Sequence, residues 1–166
     1  VQKLKDKSNA LRQLLDQCSG GNTLIMEKGQ RLTEQDLKEN LVVLFVMIQS
    51  MSRVNGKEAL KVFQDSGGYE SFFPLDNRYD LHKQLIGQIP NLDVFSGVDS
   101  AMPQIKTSLG NAIRLMHPLI LIDEIHKVFS EQARNTINNL NPAMVIGFSA
   151  TPKADMNILV SISGLE

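Results

Sequence analysis

Apolar positions along the chain follow two kinds of spacing, and their alternation predicts the fold. Leu4, Leu11, Leu14, Leu15 and Cys18 share one helical face, which predicts a helix stopped by Gly20-Gly21. Thr23 to Met26 has the length of a short strand. Thr33, with Asp36 three residues on, has the form of an N-cap opening a short helix before Asn40. Leu41 to Ile48 (LVVLFVMI) is apolar without alternation, as in a parallel strand covered on both faces. Asn55 is positioned to cap a helix from Gly56 to about Gln64. The segment DSGGYESFFPLDN is turn-rich, and Arg78 to Gln88 predicts a helix that stops before Pro90. Asn91 to Pro103 reads as an exposed loop. Thr107 or Ser108 then caps a helix through about Met116, closed by Pro118. The strand LILID follows. Ser130 caps a helix to about Asn139, Asn141-Pro142 ends it, and AMVIGFS is the last strand. Strands alternating with helices, the strands continuously apolar, indicate an α/β domain with a mostly parallel sheet flanked by helices.

Composition narrows this picture. The 166 residues are 42% hydrophobic and 21% charged, enough for one domain with a core. The net charge of -1 gives no basic footprint, so contact with nucleic acid has to use a local surface or other chains. Cys18 is the only cysteine, which excludes a disulfide framework and a cysteine-rich zinc site. No apolar run is long enough to span a bilayer, and VQKLKDK lacks a signal-peptide core. A cytoplasmic setting, with no membrane partner, is the expectation. Without an initiator Met, the sequence reads as a piece of something longer.

The candidate chemistry lies where LILIDEIH passes from apolar residues to charge. Asp123 and Glu124 stand at the carboxyl end of a predicted parallel strand, where open α/β sheets bind ligands. Nucleotide hydrolysis needs two acidic functions at such a place. One carboxylate holds Mg²⁺, usually through its waters, and the other positions and deprotonates the attacking water. An Asp-Glu pair that merely opens a solvated loop explains the tetrapeptide equally well. The segment GFSATP, after another apolar strand, adds specificity. Ser149 and Thr151 are two apart, so their hydroxyls are expected on one side.

In this order, DEIH (Asp123 to His126) resembles motif II of the superfamily 2 DEAD/DEAH helicases, and Ser149-Ala150-Thr151 resembles motif III. KTSLGNAIRLMHPLILIDEIHK and NPAMVIGFSATPK are similar to the helicase subunit of type III restriction enzymes. The resemblance is firm from Lys106 onward, extends to LVVLFVMIQS and FQDSGGYESFFP, and is faint before Leu41. It implies a RecA-like, P-loop NTPase-type parallel sheet, here lacking the phosphate-loop strand. Residues 1–166 would then be part of the first helicase motor domain, with motifs II and III but not motif I. It implies ATP and Mg²⁺ as cofactors, DNA as a partner, and a modification (methyltransferase) subunit. Asp123 would bind Mg²⁺-ATP, through water at the metal, and Glu124 would be the catalytic base. His126 would link the nucleotide site to motif III or to a second motor domain; a histidine bonded to a backbone carbonyl is the alternative. Ser149, Ala150 and Thr151 would couple hydrolysis to domain movement. Ile125 departs from the small residue often found between Glu and His, which bears on local packing.

Weaker signals remain open. Gln49 and Ser50 end a strand in the region where this superfamily touches nucleic acid, though a polar strand end needs no such role. Lys106, Thr107 and Ser108 begin a helix, where free amides favour phosphate; a plain helix cap is the competing reading. His82 and His117 have no ligand partners at metal spacing. No GxxxxGK[ST] loop occurs anywhere in the sequence. The expectation is therefore an inactive part of an ATP-dependent DNA helicase or translocase of a type III restriction enzyme. The alternatives are another superfamily 2 DNA or RNA helicase, or a non-catalytic RecA-like binding module. The sheet is expected to place Leu119–Asp123 between Leu41–Ile48 and Ala143–Ser149. The last of these would keep an open edge that invites self-association.

Overall fold

The computed structural model describes residues 1–27, 29–48, 51, 62–65, 67–95, 102–125, 130–151 and 157–161. Element order is α1 (Gln2–Lys5), α2 (Ala10–Cys18), β1 (Thr23–Glu27), α3 (Glu34–Glu39), β2 (Leu41–Phe45), α4 (Tyr79–Gln88), α5 (Leu109–Met116), β3 (Leu119–Ile122), α6 (Glu131–Asn138) and β4 (Met144–Gly147). The class is α/β with parallel strands, as the apolar pattern predicts. The helix expected from Gly56 falls mostly outside the described residues.

Helix starts follow local chemistry. Thr33 forms a full capping box: its hydroxyl accepts the Asp36 N–H, and the Asp36 carboxylate accepts the Thr33 N–H and hydroxyl. Ser108 Oγ accepts the Asn111 N–H, and Ser130 Oγ accepts the Ala133 N–H. At the other end of α5, His117 takes a left-handed conformation before Pro118 turns the chain into β3.

The sheet departs from expectation. Among the described residues there are two two-stranded sheets, with β1 paired to β2 and β3 paired to β4, each pair parallel. Leu119–Ile122 is therefore not central between Leu41–Phe45 and Met144–Gly147. The strand β1, read only as a short candidate, takes the edge of β2 in register Thr23↔Leu41 through Glu27↔Phe45. Nor is the Leu41–Ile48 run covered on both faces. The strand ends at Phe45, and Val46 and Met47 beyond it are 40% and 72% exposed. An apolar run signals burial without naming the partner that supplies it.

Three further expectations need correction. The N-terminal helix is broken in two, because the Asp6 carboxylate accepts the N–H and hydroxyl of Ser8 and offers the backbone a turn instead. Its leucine face is not the buried one: Leu11 and Leu14 are more than half exposed, whereas Arg12 is buried. The Arg12 guanidinium holds Asp16 and donates to the carbonyls of Leu4 and Thr23, tying α1 and α2 to β1. The Asn91–Pro103 stretch is anchored at its described ends, with Leu92 in the core and Val94 bridged antiparallel to Ile105.

The core gathers around α5, whose residues Leu109 to Arg114 are all buried. Phe63, Leu32, Met26, Ile105 and Leu140 surround it, and Leu24, Val42, Leu44 and Ile120 bring both sheets against it. Each fully buried side chain of this size contributes about 1.5–3 kcal/mol. Gly110 permits the tightest approach, since a Cβ there would stand 2.2 Å from the Phe63 ring. The other face of the β3–β4 sheet is uncovered among the described residues, where Leu119, Leu121, Met144 and Phe148 are each more than half exposed. Beyond β4, the described residues supply no further strand.

Candidate functional site

The apolar β3 run carries the chain to Ile122, and the next two residues leave the sheet as a turn. That turn holds Asp123 and Glu124. It is pinned on both sides by Phe148, the residue after β4: Phe148 N–H donates to the Ile122 carbonyl at 2.8 Å, and Ile125 N–H donates to the Phe148 carbonyl at 2.9 Å. Because β3 and β4 are parallel, both strands deliver their following residues to the same end of the sheet. The acidic pair and the Ser149-Ala150-Thr151 segment are thus neighbours, joined through the backbone of Ile125 and Phe148.

Asp123 is exposed and Glu124 partly buried. Glu124 adopts φ 52°, a left-handed conformation that costs most side chains about 1–2 kcal/mol. Such conformations persist only where the surroundings over-determine them, and they concentrate at functional sites. Ser149 Oγ accepts the Thr151 N–H at 3.1 Å, so the segment closes as a tight local turn. The Ser149 hydroxyl is engaged in that turn, with Thr151 exposed beside it.

Ile125 packs directly over Gly147 on β4. The bulk that sets DEIH apart from its small-residue counterparts therefore meets a residue without a side chain. This contact was not legible beforehand, since Gly147 carries no marked signal within AMVIGFS.

Asp123 and Glu124 offer hard oxygen donors, the chemistry that suits Mg²⁺. No group of three or more His, Cys, Asp or Glu that could hold a metal occurs among the described residues. Two adjacent carboxylates suit Mg²⁺ in number and kind where the ion keeps several waters. His126, Gln49 and Ser50 lie outside the described residues.

The start of α5 is used up internally. Gly110 N–H donates to the Val62 carbonyl at 2.7 Å, Asn111 N–H to Ser108 Oγ, and Thr107 Oγ1 to Asp65. Ser108 is fully buried. This is a helix cap, not an open phosphate site. Lys106 extends over the Phe95 ring, 5.8 Å from its centre.

Sequence reasoning also missed the polar network that holds α5. The buried Arg114 guanidinium meets Asp93 at 3.4 Å, donates to the Asn139 carbonyl and Asn111 Oδ1, and stacks over Phe63. Asn111 in turn accepts the Asp93 N–H and donates to the carbonyls of Asp93 and Lys106. Its only signal was the spacing of Asn111 and Arg114, three apart on an otherwise apolar helix. His82 is buried too, with Nδ1 accepting the Ile105 N–H and Nε2 donating to the Leu75 carbonyl. Both His82 and His117, which bonds the Asn141 carbonyl, are structural.

The family model described as the type III restriction enzyme res subunit matches residues 4–154. No curated protein and no solved structure matches the chain.

Proposed function

Since the chain belongs to the type III restriction enzyme res subunit family, whose function is helicase-like, we propose that it carries part of the ATP-hydrolysing site of a motor that moves on DNA. The parallel βαβ units are the building blocks of the RecA-like domain typical of that family. Residues 1–166 are read as part of the first motor domain. The observation that carries this reading is the acidic pair at the carboxyl end of β3, hydrogen-bonded through its flanks to the segment that ends in Ser149-Ala150-Thr151.

In this mechanism Asp123 would hold Mg²⁺ through water, and Glu124 would accept the proton of the water that attacks the γ-phosphate. Mg²⁺, when bound, offsets charge on the phosphates. Ser149 to Thr151 transmit the state of the site because their strand and the acid turn share backbone hydrogen bonds. His126 is assigned to linking the nucleotide to motif III or to a second motor domain, and Gln49, Ser50 and the Lys106 ammonium, apart from the capped helix start beside it, to contact with DNA. A modification subunit and a cytoplasmic setting are what such a restriction enzyme uses. No helix among the described residues is long and apolar enough to cross a membrane. The exposed apolar face and outer edge of the β3–β4 sheet support self-association, which light scattering at rising concentration would register.

Glu124→Gln in the full-length protein tests the assignment. It keeps shape but removes the base, so ATP with Mg²⁺ should still bind while turnover falls by about 10²-fold or more. Asp123→Ala should weaken Mg²⁺-dependent binding instead. Wild-type turnover in Glu124→Gln would refute the role given to Glu124. DNA-stimulated turnover separates a DNA motor from a superfamily 2 RNA helicase.

A further inference from the structure

We propose that Gly147 and Ile125 are positioning residues that together fix the Glu124 carboxylate, an inference that rests on the role of Glu124 given above. The left-handed backbone of Glu124 opposes its own side-chain preference, so neighbouring contacts must impose it. Two are the backbone bonds flanking the turn, from Phe148 to Ile122 and from Ile125 to Phe148. The third is the seat of Ile125 on Gly147. A Cβ at position 147 would stand 2.3 Å from Ile125 Cδ1, 2.7 Å from Cγ2 and 2.8 Å from Cβ. The last distance decides the outcome. Cδ1 can swing away by rotation, but Cβ moves only with its own backbone, and a β-branched side chain is stiff at χ1 as well. Even the smallest side chain at 147 must therefore push Ile125 away from β4. That displacement stretches the Ile125–Phe148 bond and releases the residue immediately after Glu124. The absence of a side chain on one strand thus sets the aim of a carboxylate on the next.

The reciprocal pair provides the test. Gly147→Ala in the 166-residue chain should speed amide hydrogen exchange at Ile125 and Phe148 by about tenfold or more, with the β1–β2 amides unchanged. Adding Ile125→Gly removes Cβ, Cγ2 and Cδ1 together, lets the strands close and should restore most of that protection. In the full-length protein, Gly147→Ala should lower kcat for ATP by about 10²-fold at nearly unchanged KM, and the double variant should recover much of the loss. Unchanged exchange in Gly147→Ala would overturn the proposal. So would loss of protection spread equally over both sheets, or a double variant no better than the single one. Should exchange respond as expected while Glu124→Gln retains full turnover, the packing is right and the functional reading of Glu124 is what fails.

Discussion

The left-handed backbone at Glu124 makes a quantitative demand on stability. Replacing Glu124 with Ala or with Gly removes the same carboxylate and every bond it makes. The two variants then differ only in the Cβ that has to be carried at φ 52°. Holding a Cβ there costs about 1–2 kcal/mol. Gly escapes that cost but brings greater freedom to the unfolded chain, which offsets about 0.5–1 kcal/mol. Glu124→Gly should therefore be more stable than Glu124→Ala by about 1 kcal/mol, which for a chain of this size is about 2–4 °C in Tm. Thermal melts followed by circular dichroism, with urea titrations as a check on equal m-values, measure this difference. Equal midpoints, or a more stable Ala variant, would show that the turn imposes no backbone strain. Both variants lack the proposed base, so the difference between them measures only what this turn gives up in stability to carry a side chain at position 124.

Other consequences can be checked separately. Arg114→Ala removes a buried guanidinium that bonds the partly buried Asp93 and the Asn139 carbonyl, and should lower unfolding stability by about 3 kcal/mol in urea titration. The Thr33 hydroxyl and N–H hold the Asp36 carboxyl below its ordinary range, so on acidification the unfolded chain takes up that proton first. This contribution is complete above about pH 4 and is lost as the pH falls toward the folded value, so Thr33→Ala should melt with a shallower acid dependence than the parent chain. Because the sequence has no GxxxxGK[ST] loop to hold the β- and γ-phosphates, the chain on its own should release no phosphate from ATP above background. Robust turnover that depends on Glu124 would reveal a phosphate site of another form.

What the sequence made legible was governed by short-range chemistry. Thr33, Ser108 and Ser130 are caps because a side-chain oxygen reaches an amide three residues away, a relation independent of the rest of the fold. The acid pair at a strand end was legible for the same reason, an apolar run simply stopping at Asp123. Strand partners were not. The run LVVLFVMI states that Leu41–Phe45 is apolar, but Thr23–Glu27 was too short and ordinary to announce itself as its neighbour. The buried arginines were least accessible. Arg12 and Arg114 look like surface residues until carbonyls from distant segments, Thr23 and Asn139, come within reach of their guanidinium groups. Apolar periodicity placed Leu11 and Leu14 inward where the structure turns Arg12 inward instead.

Among the described residues, each strand pair closes across one helix, β1 to β2 over α3 and β3 to β4 over α6. Parallel pairing usually makes folding slow, because distant segments must meet before any ladder bond rewards them. Here both ladders join stretches that are near in sequence, and both helices begin with a side-chain cap. The two βαβ units can therefore zip up early and independently. The docking of α5 is the long-range element of the fold, since its buried polar bonds reach from Asp93 to Asn139. The acid turn, between β3 and α6, thus lies in a unit whose ladder bonds are local in sequence.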